Sequence, residues 1–170
     1  MGYLSGKHCY LGGAIEYDSG PDWRPAVKNE LASRFGIDVF DPAGDPKQQF
    51  VPEMMAARAS RDLKTMRKIS RRFLRKDLCK VDRSDFLISR LPKGMPTTGS
   101  VHEIIDANNR KKVTLLVCPE GVEHLSLWYF GFVPLKYMFG SFDELYDYLD
   151  KVNRGKCKKD DRWAFVYGLI

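Results

Sequence analysis

The sequence predicts an α/β fold, a parallel β-sheet covered on both faces by helices. Two observations lead there. Short apolar runs alternate along the chain with segments of helical periodicity, and Gly, Pro or Asp-Pro marks most of the changeovers. At 170 residues, 44% hydrophobic and 29% charged, the chain can bury a core without disulfide or metal staples. Residues 1–170 are read as a single domain with a basic helical insertion at about 46–76.

The elements follow in order. Residues 8–15, His-Cys-Tyr-Leu-Gly-Gly-Ala-Ile, form a buried strand running into a glycine turn. Residues 21–35 are an amphipathic helix stopped by Gly36. Residues 37–40 are a second strand, ended by Asp41-Pro42, and 41–49 are loop. Residues 51 to about 81 have helical spacing that fits two helices. A third strand covers 85–91, a Pro/Gly/Thr loop 92–99, a helix 100–109 and a fourth strand 112–118. The aromatic run 127–133 reads as the fifth strand. Residues 142–152 form a last amphipathic helix, and the apolar tail 162–170 packs on the body. Such sheets bind ligands at the carboxyl ends of their strands, so the loops after Tyr10, Phe40 and Ser89 should meet at one site.

Composition excludes several classes. No apolar run is long enough to span a bilayer, and the first residues lack the apolar core of a signal peptide, so a cytosolic protein is expected. Cys9, Cys79, Cys118 and Cys157 are scattered, and Cys9 and Cys118 read as buried thiols. His102-Glu103 begins like HExxH, but Asp106 stands where the second His belongs. No metal and no cofactor are expected. Ten Lys or Arg between Arg58 and Lys80 face two acids, Asp62 and Asp77, a local +8 within a chain of net charge +6. One basic helix on a near-neutral body points to a local anionic partner or to a solvated face.

Three placements stand out. Leu63, Met66, Ile69 and Phe73 make an apolar stripe, and Asp77 falls near its middle. A buried carboxylate needs a partner or a proton. Asp77 therefore either pairs with a neighbouring Arg, or lies past the helix end, or is a cleft acid with a raised pKa. Second, Ser100 and Glu103 match a capping box. The same geometry would keep a first-turn carboxylate ionised as a glycosyl nucleophile, with free N–H groups and the hydroxyls of Thr97, Thr98 and Ser100 holding a phosphate. Third, Tyr10 precedes Leu11-Gly12-Gly13 on the first strand, where its hydroxyl needs a partner, either in the core or in an active-site carboxylate.

Tyr10-Leu11-Gly12-Gly13, Asp77 eight residues before Asp85-Phe86-Leu87-Ile88, Gly99 with Glu103, and the tail Arg162-Trp163-Ala164-Phe165-Val166-Tyr167-Gly168 together resemble the nucleoside 2-deoxyribosyltransferase family and its nucleotide N-glycosidase relatives. The resemblance spans most of the chain except roughly 46–72. It implies a five-stranded doubly wound sheet of the flavodoxin-like or Rossmann-like kind, and a homodimer or larger assembly. It implies Glu103 as nucleophile, Tyr10 orienting it, and Asp77 handling the proton of the departing base. Gly12, Gly13, Thr97, Thr98, Gly99 and Ser100 would line the substrate, and Asp45, with Gln48 and Gln49, lies where a loop could reach the base or is ordinary polar loop. The sugar would pass to water or to another base with net retention. Where the nucleoside transferases carry an Asp, six residues before the nucleophile, this chain has Thr97, as the nucleotide-cleaving relatives have a small hydroxyl residue. That favours a nucleoside 5′-monophosphate over a nucleoside. The asparagine that the transferases lend across a subunit interface has no match around 130–136. Two other readings stand beside this one: an inactive relative gripping nucleic acid through the basic helix 58–80, and a hydrolase of a larger nucleotide such as NAD.

Overall fold

The computed structural model describes residues 2–15, 22–95 and 97–169. Five strands form one all-parallel sheet: β1 (His8–Gly13), β2 (Asp38–Phe40), β3 (Phe86–Arg90), β4 (Val113–Val117) and β5 (Met138–Phe139), in the order β2-β1-β3-β4-β5. The α/β doubly wound architecture is the one expected from the alternation of elements. The helices are α1 (Arg24–Phe35), α2 (Val51–Ala59), α3 (Leu63–Arg83), α4 (Thr98–Asn109), the short α5 (Leu127–Phe130) and α6 (Phe142–Asn153). α1 packs with α6, while α3 packs with α2 and α4. The central strands are buried along nearly their whole length and mostly apolar, as strands covered on both faces must be.

Local chemistry sets the boundaries. Gly36 ends α1 in the left-handed region (φ 68°), satisfying the last carbonyls through its N–H. The expected start of that helix at Pro21 lies outside the described residues. The long helical stretch does divide in two. Arg61 takes a positive φ of 58°, and the Asp62 carboxylate caps α3 by accepting from the Lys64 and Thr65 N–H groups, both at 3.1 Å. The tail folds into a 3-10 turn, Asp161–Tyr167, that buries Trp163 completely. Cys9 and Cys118 are buried free thiols.

The fifth strand is not at 127–133. That run forms α5 instead, with the Ser126 hydroxyl accepting from the Trp128 N–H, and leaves Leu127 85% and Trp128 75% exposed. β5 is Met138–Phe139, a two-residue strand registered on Leu116 and Val117. Aromatic composition favours a strand where neighbours pack against it, and here Leu127 and Trp128 point outward without such cover among the described residues.

Strand order reverses between β1 and β3, so the loops that follow them diverge and leave a crevice. Gly12 pairs with Ser89 and Gly13 with Arg90 at its floor.

Candidate active site at the strand switch point

A cleft of about 580 Å³ opens at that crevice. Its walls come from the end of β1, the loop after β2, α2, α3 and the start of α4, with Lys47, Asp77, Thr97, Thr98, Gly99 and Glu103 among the lining residues. The apolar share comes from Val51, Met54, Met55 and Phe73. The helices of the insertion thus form one side of the cleft.

Tyr10 and Gly12 are two residues apart on β1 and so share a face of the sheet. The Tyr10 hydroxyl donates to Glu103 Oε1 at 2.6 Å, across 93 residues of sequence. Gly12 makes room for that carboxylate: a Cβ there would lie 3.4 Å from Glu103 Oε2 and 3.1 Å from Ser89 Oγ. Phe40 stacks on the Tyr10 ring at 5.6 Å and fixes it.

Burial pushes the Glu103 carboxyl up to about 7, against the opposing pull of the Tyr10 hydroxyl and of the Lys47 and Arg24 charges. Burial, and then the Glu103 charge beside it, push the Tyr10 phenol well above its ordinary range, so it stays a donor. These findings correct the expected capping box. α4 begins at Thr98, not Ser100, with Thr97 at the cap position and no side-chain cap. Glu103 therefore sits in the second turn and is turned toward Tyr10. At that depth the helix dipole has little hold on it, and desolvation dominates instead.

Asp77 lies on the cleft-facing side of α3, about four-fifths buried, and it accepts from Lys47 Nζ. It is thus paired, as one expectation had it, but with a Lys from another element rather than an Arg of its own helix, and the helix runs past it. Lys47 is itself buried, and burial pulls its ammonium down to about 8. The Lys47 ammonium and the Glu103 carboxyl influence each other.

Asp45 does not reach the cleft. Its carboxylate accepts from the Lys47 N–H at 2.8 Å and from Lys76 Nζ at 2.6 Å, capping the 3-10 turn Pro46–Phe50. Burial opposes its charge, but these partners outweigh that and hold it below the ordinary range. An Asp before Pro-Lys-Gln satisfies local N–H groups first. Gln48 lines the cleft while its amide donates to the Pro42 carbonyl at 2.7 Å, and Gln49 faces a neighbouring groove. Gly13, Thr98, Gly99 and Ser100 line the cleft as expected. Thr97 lines it too. The first intrahelical bond of α4 is Val101 N–H to the Thr97 carbonyl, which leaves the Thr98, Gly99 and Ser100 N–H groups ahead of the ladder.

Three residues went unread in the sequence. Lys47 is one. Arg24, 5% exposed, is another: it donates to the Gly13 and Ala14 carbonyls at 3.1 and 3.0 Å and pairs with Asp41 at 3.4 Å. The third is Ser89, fully buried below Gly12, whose Oγ has no hydrogen-bond partner among the described residues. Lys47 lies in a polar stretch with no periodic signal, whereas Arg24 opens α1 in helical register with the buried Val27, Leu31 and Phe35, a spacing that could have marked it. Among the described residues no three His, Cys, Asp or Glu side chains group as metal ligands, and no helix is long and apolar enough to cross a membrane.

The arrangement holds a half-ionised carboxyl with a fixed hydrogen-bond donor, a carboxylate–ammonium pair within the same cleft, and a helix N-terminus at its edge. That set can attack an electrophilic carbon, move a proton and hold an anion. No protein-family model matches the chain, and no curated protein matches it by sequence.

Proposed function

We propose that this protein cleaves the N-glycosidic bond of a nucleoside 5′-monophosphate, in the manner of the nucleoside 2-deoxyribosyltransferases and their nucleotide N-glycosidase relatives that its motifs resemble. The observation that carries the reading is the buried 2.6 Å hydrogen bond from Tyr10 to Glu103 at the floor of the switch-point cleft. In the proposed reaction an ionised Glu103 oxygen attacks the anomeric carbon. The C–N bond breaks, its electron pair stays on the base nitrogen, and the Lys47–Asp77 pair supplies the proton. Water or a second base then attacks the same carbon and gives its proton back to the Lys47–Asp77 pair, Glu103 leaves as carboxylate, and the configuration is retained over the two steps. The N–H groups of Thr98, Gly99 and Ser100 are offered to the 5′-phosphate. A second copy of the chain is proposed to cover the exposed Leu127, Trp128 and Leu135.

The test is chromatography of reactions with each common nucleoside and its 5′-monophosphate, with and without a second free base. Free base from the monophosphates, absent with Glu103→Ala, is the expected result. Turnover by Glu103→Ala equal to wild type, or no product from any of the substrates, refutes the proposal.

A further inference from the structure

α3 carries its charge on one side. Lys64, Arg67, Lys68, Arg71, Arg72 and Arg75 are all exposed and line one shallow groove. At about 100° per residue they fall within an arc of roughly 140°, and at about 1.5 Å per residue they span some 16 Å. No acid interrupts residues 63–76, and among the described residues none of the six forms an ion pair. Several other cations do have carboxylate partners, among them Lys76, Lys47, Arg34, Arg110 and Lys136. Six mutually repelling charges kept together without counter-ions lower stability, and that cost is recovered when an anion with several charges binds.

The groove is not isolated. Arg72 and Arg75 also line a second groove with Phe73, Lys76 and Lys47, and Lys47 and Phe73 in turn line the cleft that holds Glu103. A cationic track therefore runs from the outer face of α3 round to the candidate active site.

We propose that this track binds the phosphate backbone of a single-stranded nucleic acid, without regard to sequence. About 16 Å matches roughly five successive phosphates of one strand. Four of the six groups are guanidinium, which suits bidentate contact with phosphate oxygens. The outer groove is lined by the six cations alone, which suits the backbone, while Phe50, 4.5 Å from the Arg72 guanidinium, and Phe73 line the second groove, where bases could stack without regard to sequence. The track bends toward the cleft, which a flexible strand follows and a stiff duplex does not. A membrane surface fits less well, because an interfacial helix needs a free apolar face beside its cations. Most of the apolar face of α3 is already covered by α2 and α4, with Ile69 2% exposed; Leu63 and Leu74, 72% and 44% exposed, lie eleven residues apart and make no continuous apolar face.

This proposal does not depend on glycosidase chemistry, and its test is a binding measurement. Fluorescence anisotropy would follow a labelled 20-nucleotide single-stranded DNA, its duplex and the matching RNA from 50 to 300 mM salt. The proteins would be wild type, the triple variant R67Q/R71Q/R75Q and, as a control remote from the track, Lys151→Gln on the exposed side of α6. Wild type and Lys151→Gln should bind single strands alike, with log K falling against log salt at a slope of about −3 to −4. The triple variant, folded by circular dichroism, should bind at least tenfold more weakly, with a slope flatter by about 2. The proposal is overturned by no binding at 50 mM salt, by a triple variant equal to wild type, or by tighter binding of duplex. Tighter binding of phosphatidylserine vesicles than of any nucleic acid overturns it too.

Discussion

Glu103→Gln is expected to stabilise the protein at neutral pH and to do much less at acid pH. The reasoning starts from burial. Glu103 is 8% exposed, and desolvation lifts its carboxyl from 4.5 to about 7. In the unfolded chain it titrates near the ordinary value. The folded state therefore holds the proton more tightly, and the resulting stability is fully present below pH 4.5 and lost as pH rises through about 7. A displacement of about 2.5 pH units corresponds to roughly 3 kcal/mol. Gln has no such titration, and its carbonyl can still accept from Tyr10. Urea unfolding of both proteins at pH 4.5 and pH 7.5 would be the assay, with Lys47, lowered to about 8, partly titrated at the upper pH in both proteins. The gain from Glu103→Gln at pH 7.5 should exceed that at pH 4.5 by about 3 kcal/mol. Any fixed cost of burying the amide cancels in that comparison. An equal effect at both pH values would refute the argument that Glu103 is desolvated.

Other outcomes follow from the same geometry. Tyr10→Phe removes the hydroxyl that pulls the Glu103 carboxyl down, so the Glu103 midpoint should move further above 7. A hydrogen bond to a charged group is worth about 1.5–3 kcal/mol, which predicts a rise of roughly 1–2 pH units, read by carbon NMR of the Glu side chains. Gly12→Ala would press a methyl group toward Ser89 Oγ and the Glu103 carboxylate, and should cost about 1–3 kcal/mol in thermal unfolding as well as most of the turnover. Asp62→Ala removes the cap of α3 and should cost about 1 kcal/mol in urea unfolding while leaving turnover unchanged.

The sequence was informative wherever the signal was local. Periodicity, glycine stops and Asp-Pro breaks placed β1 to β4 and α1, α4 and α6 within a few residues, and the outer ends of the α2–α3 stretch but not its break at 60–62, because those rules act over one or two turns. The parallel sheet followed from their alternation. Tyr10 and Asp77 were visible as polar groups on an apolar strand or stripe, and Glu103 by its spacing from Ser100, and the structure brings their neighbourhood to one cleft. The fifth strand was misplaced because α5 and β5 are both too short for periodicity to count.

What the chain alone determined is therefore which faces are apolar and where polar groups interrupt them. The tertiary structure decided what stands opposite each interruption. Ser100 and Glu103 have the spacing of a capping box, yet Glu103 turns to Tyr10 because the helix begins earlier and packs against β1. Asp77 meets Lys47 from 30 residues away, and Asp45, near it in sequence, faces Lys76 instead. A carboxyl titrates according to the solvent it has lost and the charges around it. Both are set by segments far apart along the chain, so the lift of Glu103 to about 7 arises only once β1, α4 and the loop carrying Lys47 close over it.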